Sequence, residues 1–440
     1  MESSTTTTTT SPQARKRNNT FHGAHEPFRH ETELHVQKET VSGPVSFLDP
    51  TKAHVRHATH PDVRFQWSSR NNRKGRHALL VDQAQTSSKA QGTTPRPTSS
   101  PRSVARGIWR MLTYYPVWDV SFDVAYVFTL GSVIWVVNAF FAFLPLVQPS
   151  SGFRNEALYG GGITAFVGAT VFEAGSVLLM AEAVNENRAG CSGWALARPP
   201  SRADVDDDDA TAAVLAPSES NCTHHHPNRR NLVGKPRHPV SVPASASASA
   251  SVSKAAPDTH PREWQWYPTS HDLRTHYLHS LGFLASLSQL CGASIFWIAG
   301  LTALPGIYDK MSRPVAIAFY WTPQVLGGLG FVVSGTLFML ETQSRWWKPA
   351  PRTLGWWIGA WNLVGGVGFT LCPAFGYDES SWAQYQAGLS TFWGSWAFLI
   401  GSVMQWYESL EKFPVEVDRR GTVGGGAKEG SRGNMHLDLA

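Results

Sequence analysis

The sequence is poor in the residues that mark a disulfide-stapled fold or a catalytic site. Its four cysteines in 440 residues are too few for a disulfide framework. It contains no GxxxxGK phosphate-binding loop, no HExxH metal motif and no Ser/His pair. None of the 17 histidines falls at mid-depth in a long apolar run, which excludes a bis-histidine haem held between membrane helices. We therefore expect a protein that is not an enzyme and has no cofactor or metal.

Charge is missing from long stretches of the chain. From Val124 to Val147 no charged residue occurs over 24 positions. Five similar runs follow, at 157–181, 281–308, 315–340, 353–377 and 380–407. A bilayer core of roughly 30 Å needs about 20 helical residues to cross it, and none of the six runs has the polar face of a surface helix. The sequence predicts an all-α membrane protein with six transmembrane helices.

Polar segments flank and divide the apolar runs. The N-terminal segment is basic and rich in Ser and Thr, and the longest linker contains DVDDDD, THHHPNRR and PASASASASVSK. Such compositions bury too little apolar area to fold, so we expect disorder there. The predicted division is a disordered basic tail at 1–118, hairpin 1 at 119–186, a disordered linker at 187–275, hairpin 2 at 276–344, hairpin 3 at 345–412 and a disordered tail at 413–440.

The distribution of Lys and Arg predicts the orientation. One side of the predicted membrane domain carries most of the basic residues near helix ends, namely Arg102, Arg106, Arg110, Arg345, Lys348 and Arg352. Because cytoplasmic loops are enriched in Lys and Arg, we expect both termini and the linker to be cytoplasmic. The choice between plasma membrane and endomembrane stays open.

An internal repeat links the three hairpins. Helices 1, 3 and 5 each end at a proline, at 145, 305 and 373, and a Gly followed by Ser or Thr occurs 28 to 30 residues later. A second Gly precedes each of these by seven positions, giving the pairs Gly168/Gly175, Gly328/Gly335 and Gly394/Gly401. Positions seven apart share a helix face, so we expect each pair to form a smooth groove for close helix packing.

A glutamate follows each Gly pair by six or seven residues: Glu182, Glu341 and Glu408. We expect all three at the cytoplasmic ends of helices 2, 4 and 6, near Arg188, Arg345 and Lys412. One interpretation is that they are interface carboxylates in salt bridges or water. The other is a ring of acids that gates a cytoplasmic mouth.

The segments TFWGSWAFLIGSVMQWYESLEKFPV (391–415) and GLGFVVSGTLFMLETQSRWWKP (328–349) resemble the second helix of small YrhK-like hairpin proteins. The whole chain resembles fungal multi-pass integral membrane proteins, some with YrhK-like domains. The basic run that closes the bacterial hairpin is replaced here by Glu408 and Glu411. The resemblance implies a membrane location and no known chemistry.

One acid lies near the middle of a predicted helix. Glu173 is about twelve residues into helix 2, and the repeat has Val333 and Leu399 at this position. An intramembrane acid is a functional candidate by default, although a protonated Glu173 hydrogen-bonded to Asn362 or Asn138 would also explain it. We treat Glu173, Asn362 and Asn138 as candidates for a substrate or ion path.

The sequence leaves two functions open. The first is a non-catalytic membrane component that organises lipid or partners, and the alternative is a transporter or channel that uses Glu173. The lipid bilayer is the expected partner, with anionic-lipid contact through the basic tail. We expect no nucleic acid partner, and protein partners are not predicted.

Overall fold

A computed structural model describes residues 21, 26–28, 33–58, 63–82, 95–186, 193–197, 214–217 and 264–418. The described chain is mainly helical, with six long helices, a five-stranded sheet and a two-stranded ribbon. The long helices are α3 (Val120–Val147), α4 (Ala157–Val184), α6 (Leu281–Thr302), α7 (Arg313–Glu341), α8 (Leu354–Gly376) and α9 (Ser381–Leu410). The shorter helices are α1 (Ser69–Arg73), α2 (Pro101–Thr113) and α5 (Ser270–Thr275).

Five of the long helices, α3, α4, α6, α7 and α8, are long and apolar enough to cross a membrane. This composition indicates a membrane-embedded protein. The remaining long helix, α9, has enough length, but Gln384, Gln386, Gln405 and Glu408 make it more polar. The predicted sixth span therefore stays a prediction.

The six long helices form a closed ring. Each packs against its neighbours in the order α3, α4, α6, α7, α8, α9, and α9 returns to contact α3. Glycines allow the backbones of neighbouring helices to approach closely. A Cβ on Gly335 of α7, for example, would lie only 2.6 Å from the backbone N of Leu363 in α8. Between helices in lipid, such backbone contact supplies van der Waals attraction that bulky side chains would prevent.

Each long helix contributes one aromatic side chain to the centre of the helix bundle. This aromatic layer consists of Trp135, Phe172, Phe296, Phe331, Phe369 and Phe398, each at most 5% exposed. Ring centroids of Trp135 and Phe369 are 4.8 Å apart, and those of Phe369 and Phe398 are 5.2 Å apart, both in edge-to-face geometry. The layer closes the bundle at mid-height.

A five-stranded sheet caps one end of the bundle, which we call the sheet end. Its strands are β1 (Leu34–Val36), β2 (Lys52–His57), β3 (Arg64–Ser68), β4 (Ala78–Asp82) and β7 (Val415–Asp418), in that order. The pairs are antiparallel except β4 with β7, which are parallel. β5 (Trp194–Ala197) and β6 (Val214–Pro217) form a separate ribbon, and the Trp194 side chain packs into the sheet core.

Some of these elements lie inside the segments 1–118, 187–275 and 413–440, so the predicted disorder does not extend over the whole of each segment. Strands β1 to β4, α1 and α2 lie in the predicted tail, β5, β6 and α5 in the predicted linker, and β7 in the predicted C-terminal tail. The strands are only three to six residues long, so their alternation is too short to stand out from a polar background. Arg188 and the linker segments DVDDDD, THHHPNRR and PASASASASVSK lie outside the described residues.

Candidate functional site: the bundle axis and its basic closure

The three repeat glutamates lie together at the sheet end and are fully buried. Glu182, Glu341 and Glu408 are 0%, 1% and 2% exposed, respectively. They come from three different helices, α4, α7 and α9, whose C-terminal ends meet there. Three buried carboxylates are costly unless cations pair with them. We call them the acid cluster.

The cations come from one short segment between β3 and β4, residues 69–76, which we call the basic segment. Arg73 donates from Nη1 and Nη2 to Glu341, at 2.6 and 3.0 Å, and from Nε to Glu182 at 3.2 Å. Arg70 donates from Nε and Nη2 to both oxygens of Glu408, at 3.0 and 2.6 Å. Arg73 with Glu341 and Arg70 with Glu408 thus form bidentate pairs, the strong form of arginine–carboxylate hydrogen bonding.

Two more cations complete the basic segment. Arg76 donates from Nη1 to Glu408 at 3.1 Å, and Lys74 places Nζ 3.8 Å from Oε2 of Glu182. Burial lowers the pKa of Lys74 to about 8, although Glu182 opposes the shift. Burial also lowers the pKa of Arg73, but its ion pairs with Glu341 and Glu182 outweigh this, so that its net pKa is raised.

Two glycines make room for the basic segment. A Cβ at Gly282, the second residue of α6, would overlap the guanidinium of Arg73. A Cβ at Gly355, the second residue of α8, would lie 2.6 Å from Nε of Arg70. The helix ends are therefore shaped around these two arginines, and their side chains fill the sheet end of the bundle.

A small cavity with mixed polar and apolar walls lies between the basic segment and the aromatic layer. This inner cavity of about 30 Å³ has room for one or two waters. Its lining includes Ser132, Gln289, Ser334, Asn362 and Ser402. In the described part of the chain, the buried Ser334 hydroxyl has no hydrogen-bond partner, as expected where a water completes the site.

A larger cavity opens at the other end of the bundle, which we call the open end. This vestibule of about 530 Å³ has Trp135, Phe296 and Phe369 of the aromatic layer in its lining. Further lining groups are uncharged: Asn138, Tyr320, Gln324, Cys372 and Thr391. Acids appear only at 378 and 379, in the turn between α8 and α9. The axis therefore runs from the vestibule through the aromatic layer and inner cavity to the basic segment.

No protein family model, curated protein or solved structure matches this chain.

The three candidate path residues lie in three different places. Asn138 lines the vestibule and donates to the carbonyl of Gly161 at 2.7 Å, and Asn362 lines the inner cavity and donates to the carbonyl of Ile358 at 2.8 Å. Glu173 lines neither cavity. Its Oε1 accepts from Ser294 of α6 at 2.8 Å, so its partner is neither Asn138 nor Asn362.

The sequence predicted Arg345 and Lys412 as neighbours of the acid cluster, but in the structure they have other partners. Lys412 pairs with Asp119 instead, and Arg345 lies over the ring of Trp347 at 5.6 Å. The actual partners sit in the segment RNNRKGRH, which the sequence interpretation assigned to a disordered tail. The compact run of four cations in this segment is the one sequence signal that points to partners for the three glutamates, but it does not tell which cation pairs with which acid.

The six groove glycines all lie at helix contacts, but the second pair lies at a different kind of contact from the first and third: Gly168, Gly175, Gly328, Gly335, Gly394 and Gly401. The first pair faces α3 of its own hairpin, the second faces α8 of the next hairpin, and the third faces α8 of its own. The sequence repeat therefore stays a prediction.

Proposed function

We propose that this chain is a membrane protein through which a small, uncharged polar solute moves along the axis of the six-helix bundle. The observation that carries the proposal is the series of two cavities on one axis, separated only by the aromatic layer. Below its rim the vestibule is lined by small apolar and aromatic residues with a few amide and hydroxyl groups and no charge, which favours small hydrogen-bonding solutes without net charge. In this proposal α9 is the sixth membrane span and no catalysis takes place.

The basic segment closes the sheet end in this proposal. Its ion pairs with the acid cluster hold the N-terminal sheet against three helix ends, and their release would open the inner cavity. Solute passage then requires two events in series, namely displacement of the basic segment and rearrangement of the aromatic layer.

The sheet end faces the cytoplasm in this proposal, because Arg345, Lys348 and Arg352 lie in the α7–α8 connection at that end. The sequons at Asn18 and Asn221 would then stay unglycosylated. Glycan on either asparagine in cells would reverse the orientation. We also retain the resemblance to fungal YrhK-like membrane proteins as a proposal.

A second candidate is a non-catalytic component that organises lipid or protein partners without passing a solute. It is favoured by the aromatic layer, whose six rings pack without an intervening passage. A route that uses Glu173 at the α4–α6 contact is a third arrangement, favoured by the position of its carboxylate beside Ser294.

Solute flux in proteoliposomes separates these candidates. We would measure glycerol and urea entry by light scattering, and proton entry by a trapped dye, with the full chain reconstituted. Wild type should admit glycerol faster than protein-free vesicles do, and Phe398→Ala should increase the rate by removing a ring from the layer. The matched control is Phe319→Ala, because Phe319 is 55% exposed on the outside of the bundle.

Three results would revise the proposal. Rates equal to those of protein-free vesicles in both wild type and Phe398→Ala, from protein that remains monodisperse, would favour the non-catalytic component. Loss of flux in Glu173→Gln would move the route to the α4–α6 contact. An equal increase in Phe398→Ala and Phe319→Ala would indicate leakage around a loosened bundle.

A further inference from the structure

Helix α2 is fixed against the sheet end of α9. Gly107 and Met111 are its buried residues, and a Cβ on Gly107 would lie 2.5 Å from the ring of Tyr407. Nη1 of Arg110 donates to the carbonyl of Leu410 at 2.9 Å and lies 3.6 Å from Glu411. The orientation of α2 on the bundle is therefore defined by packing and by hydrogen bonding.

One face of α2 is apolar and exposed. Ile108, Trp109 and Leu112 are 53%, 66% and 64% exposed, and Val104 lies on the same side. Only six residues separate the end of α2 from α3, a candidate membrane span that begins at Val120. An amphipathic helix beside a span, with Trp and aliphatic residues outward, is typical of a segment lying in the bilayer interface.

The roughly opposite face of α2 is cationic. Arg102, Arg106 and Arg110 recur every four residues and share a side of the helix. Arg110 is engaged by α9, as described above. Within the part of the chain that the structure describes, the side chains of Arg96, Arg102 and Arg106 have no ion-pair or hydrogen-bond partner.

These three arginines share one groove. The groove has a volume of about 1070 Å³ and lies between α2, the segment that precedes it and the chain after α9. Tyr114 and Trp118 also line it. The two other cations that line the groove, Arg110 and Lys412, pair with its two acids, Glu411 and Asp119. The unpaired positive charge in the groove therefore comes from Arg96, Arg102 and Arg106.

We infer that this groove binds the phosphate-bearing headgroup of an anionic membrane lipid. Guanidinium groups match phosphate oxygens in charge and in geometry, and three unpaired ones suit a headgroup with more than one phosphate. The apolar face of α2 sets the groove at the bilayer surface, which favours a lipid over a soluble phosphate. The sequence predicted contact between the basic tail and anionic lipid in general, whereas the geometry points to one groove. This inference is independent of the proposed solute path.

Binding to the full chain in a zwitterionic detergent would test it. The probes are dioctanoyl phosphatidylinositol 4,5-bisphosphate, dioctanoyl phosphatidylcholine and free inositol 1,4,5-trisphosphate, measured by thermophoresis. We expect saturable binding of the phosphorylated lipid alone, weakened at least tenfold in Arg102→Gln/Arg106→Gln. The matched control is Arg345→Gln/Lys348→Gln, which removes two exposed cations at the same end but outside the groove.

A second variant separates the lipid from its headgroup. Ile108→Ser/Leu112→Ser should weaken lipid binding while it leaves the groove arginines intact. Equal lipid binding by wild type and the arginine variant, both with unchanged thermal midpoints, would overturn the proposal. Binding of free inositol trisphosphate as tight as that of the lipid would overturn the lipid as the source of the phosphate.

Discussion

Arg73 and Glu341 are joined by two hydrogen bonds, 2.6 and 3.0 Å long, although 268 residues separate them in the chain. Both are almost completely buried, with the Arg73 side chain 4% and the Glu341 side chain 0% exposed. Arg73 belongs to the N-terminal sheet domain, and Glu341 ends a candidate membrane span. The pair therefore couples the position of the sheet to the ends of the membrane helices.

Removing one partner of this pair should destabilise the protein strongly. We expect Arg73→Gln to cost roughly 3–5 kcal/mol, because it leaves Glu341 buried without its main cation. The midpoint of thermal unfolding in detergent measures the change. Glu379→Gln is the matched control, since its partnership with Arg313 is exposed (74% and 50%) and should contribute about 0–1 kcal/mol. Equal decreases in the thermal midpoint of the two variants would show that the buried pair contributes no more to stability than the exposed one.

Lys74 should make stability depend on pH in the alkaline range. Its pKa is lowered from 10.5 to about 8, chiefly by burial and also by Arg70 and Arg73, while Glu182 and Glu408 oppose this. The unfolded chain therefore binds more protons than the folded chain between these values, and the contribution of Lys74 to stability rises with pH there. Below pH 8 its full penalty is present.

Comparison with Lys74→Met isolates this effect. We expect the variant to be more stable than wild type at pH 7.5, since an apolar residue avoids burying a charge, and the difference to shrink at pH 9.5. Thermal midpoints at the two pH values provide the measurement. A difference that grows with pH would show that the ion pair with Glu182 dominates instead.

The close contact of α7 with α8 should be sensitive to a single methyl group. Gly335→Ala places a Cβ 2.6 Å from the backbone N of Leu363, which should cost about 1–3 kcal/mol through forced separation of the helices. The control is Gly161→Ala, because a Cβ at Gly161 meets nothing within 4 Å. We expect the control to be neutral or slightly stabilising in the same unfolding measurement.

Composition alone was enough to predict the helical membrane class. Charge-free runs are local features, so the helices at 120–147, 281–302 and 354–376 follow from the sequence within a few residues. The same reasoning treated α9 as a further span, although its glutamines reduce its apolarity. Local composition therefore predicts a membrane-spanning helix where the run is purely apolar, and it does not decide the assignment where polar and apolar residues mix, as in α9.

The contacts of the acid cluster could not be predicted in this way. Arg73 reaches Glu182 across 109 positions, and Arg70 reaches Glu408 across 338. No local period reveals pairs at such separations, and the short strands that carry the basic segment resemble disordered chain in composition. The placement of Glu173 beside Ser294 required the helix order around the ring, which the hairpin repeat left undetermined.

Water access to the vestibule can be tested with a native thiol. Cys372 lines the vestibule, whereas Cys291 is on the outer surface of the bundle and does not line it. In proteoliposomes, a small membrane-impermeant thiol reagent applied at the open end should modify Cys372 and leave Cys291 unmodified. Each thiol is examined with the other three cysteines replaced by serine. No modification of Cys372, or equal modification of both, would show that the vestibule is not an aqueous entrance.

Closure of the inner cavity by the basic segment is tested most directly at Ser334, which lines that cavity and is 1% exposed. We would introduce Ser334→Cys into a cysteine-free chain and measure its reaction with a membrane-impermeant maleimide applied at the sheet end. We expect a protected thiol when Arg70 and Arg73 are intact, and a rate at least tenfold higher in Arg70→Gln/Arg73→Gln. Arg345→Gln/Lys348→Gln should leave the thiol protected. Equal rates with and without the two arginines, in protein that remains folded, would show that the basic segment does not close the inner cavity.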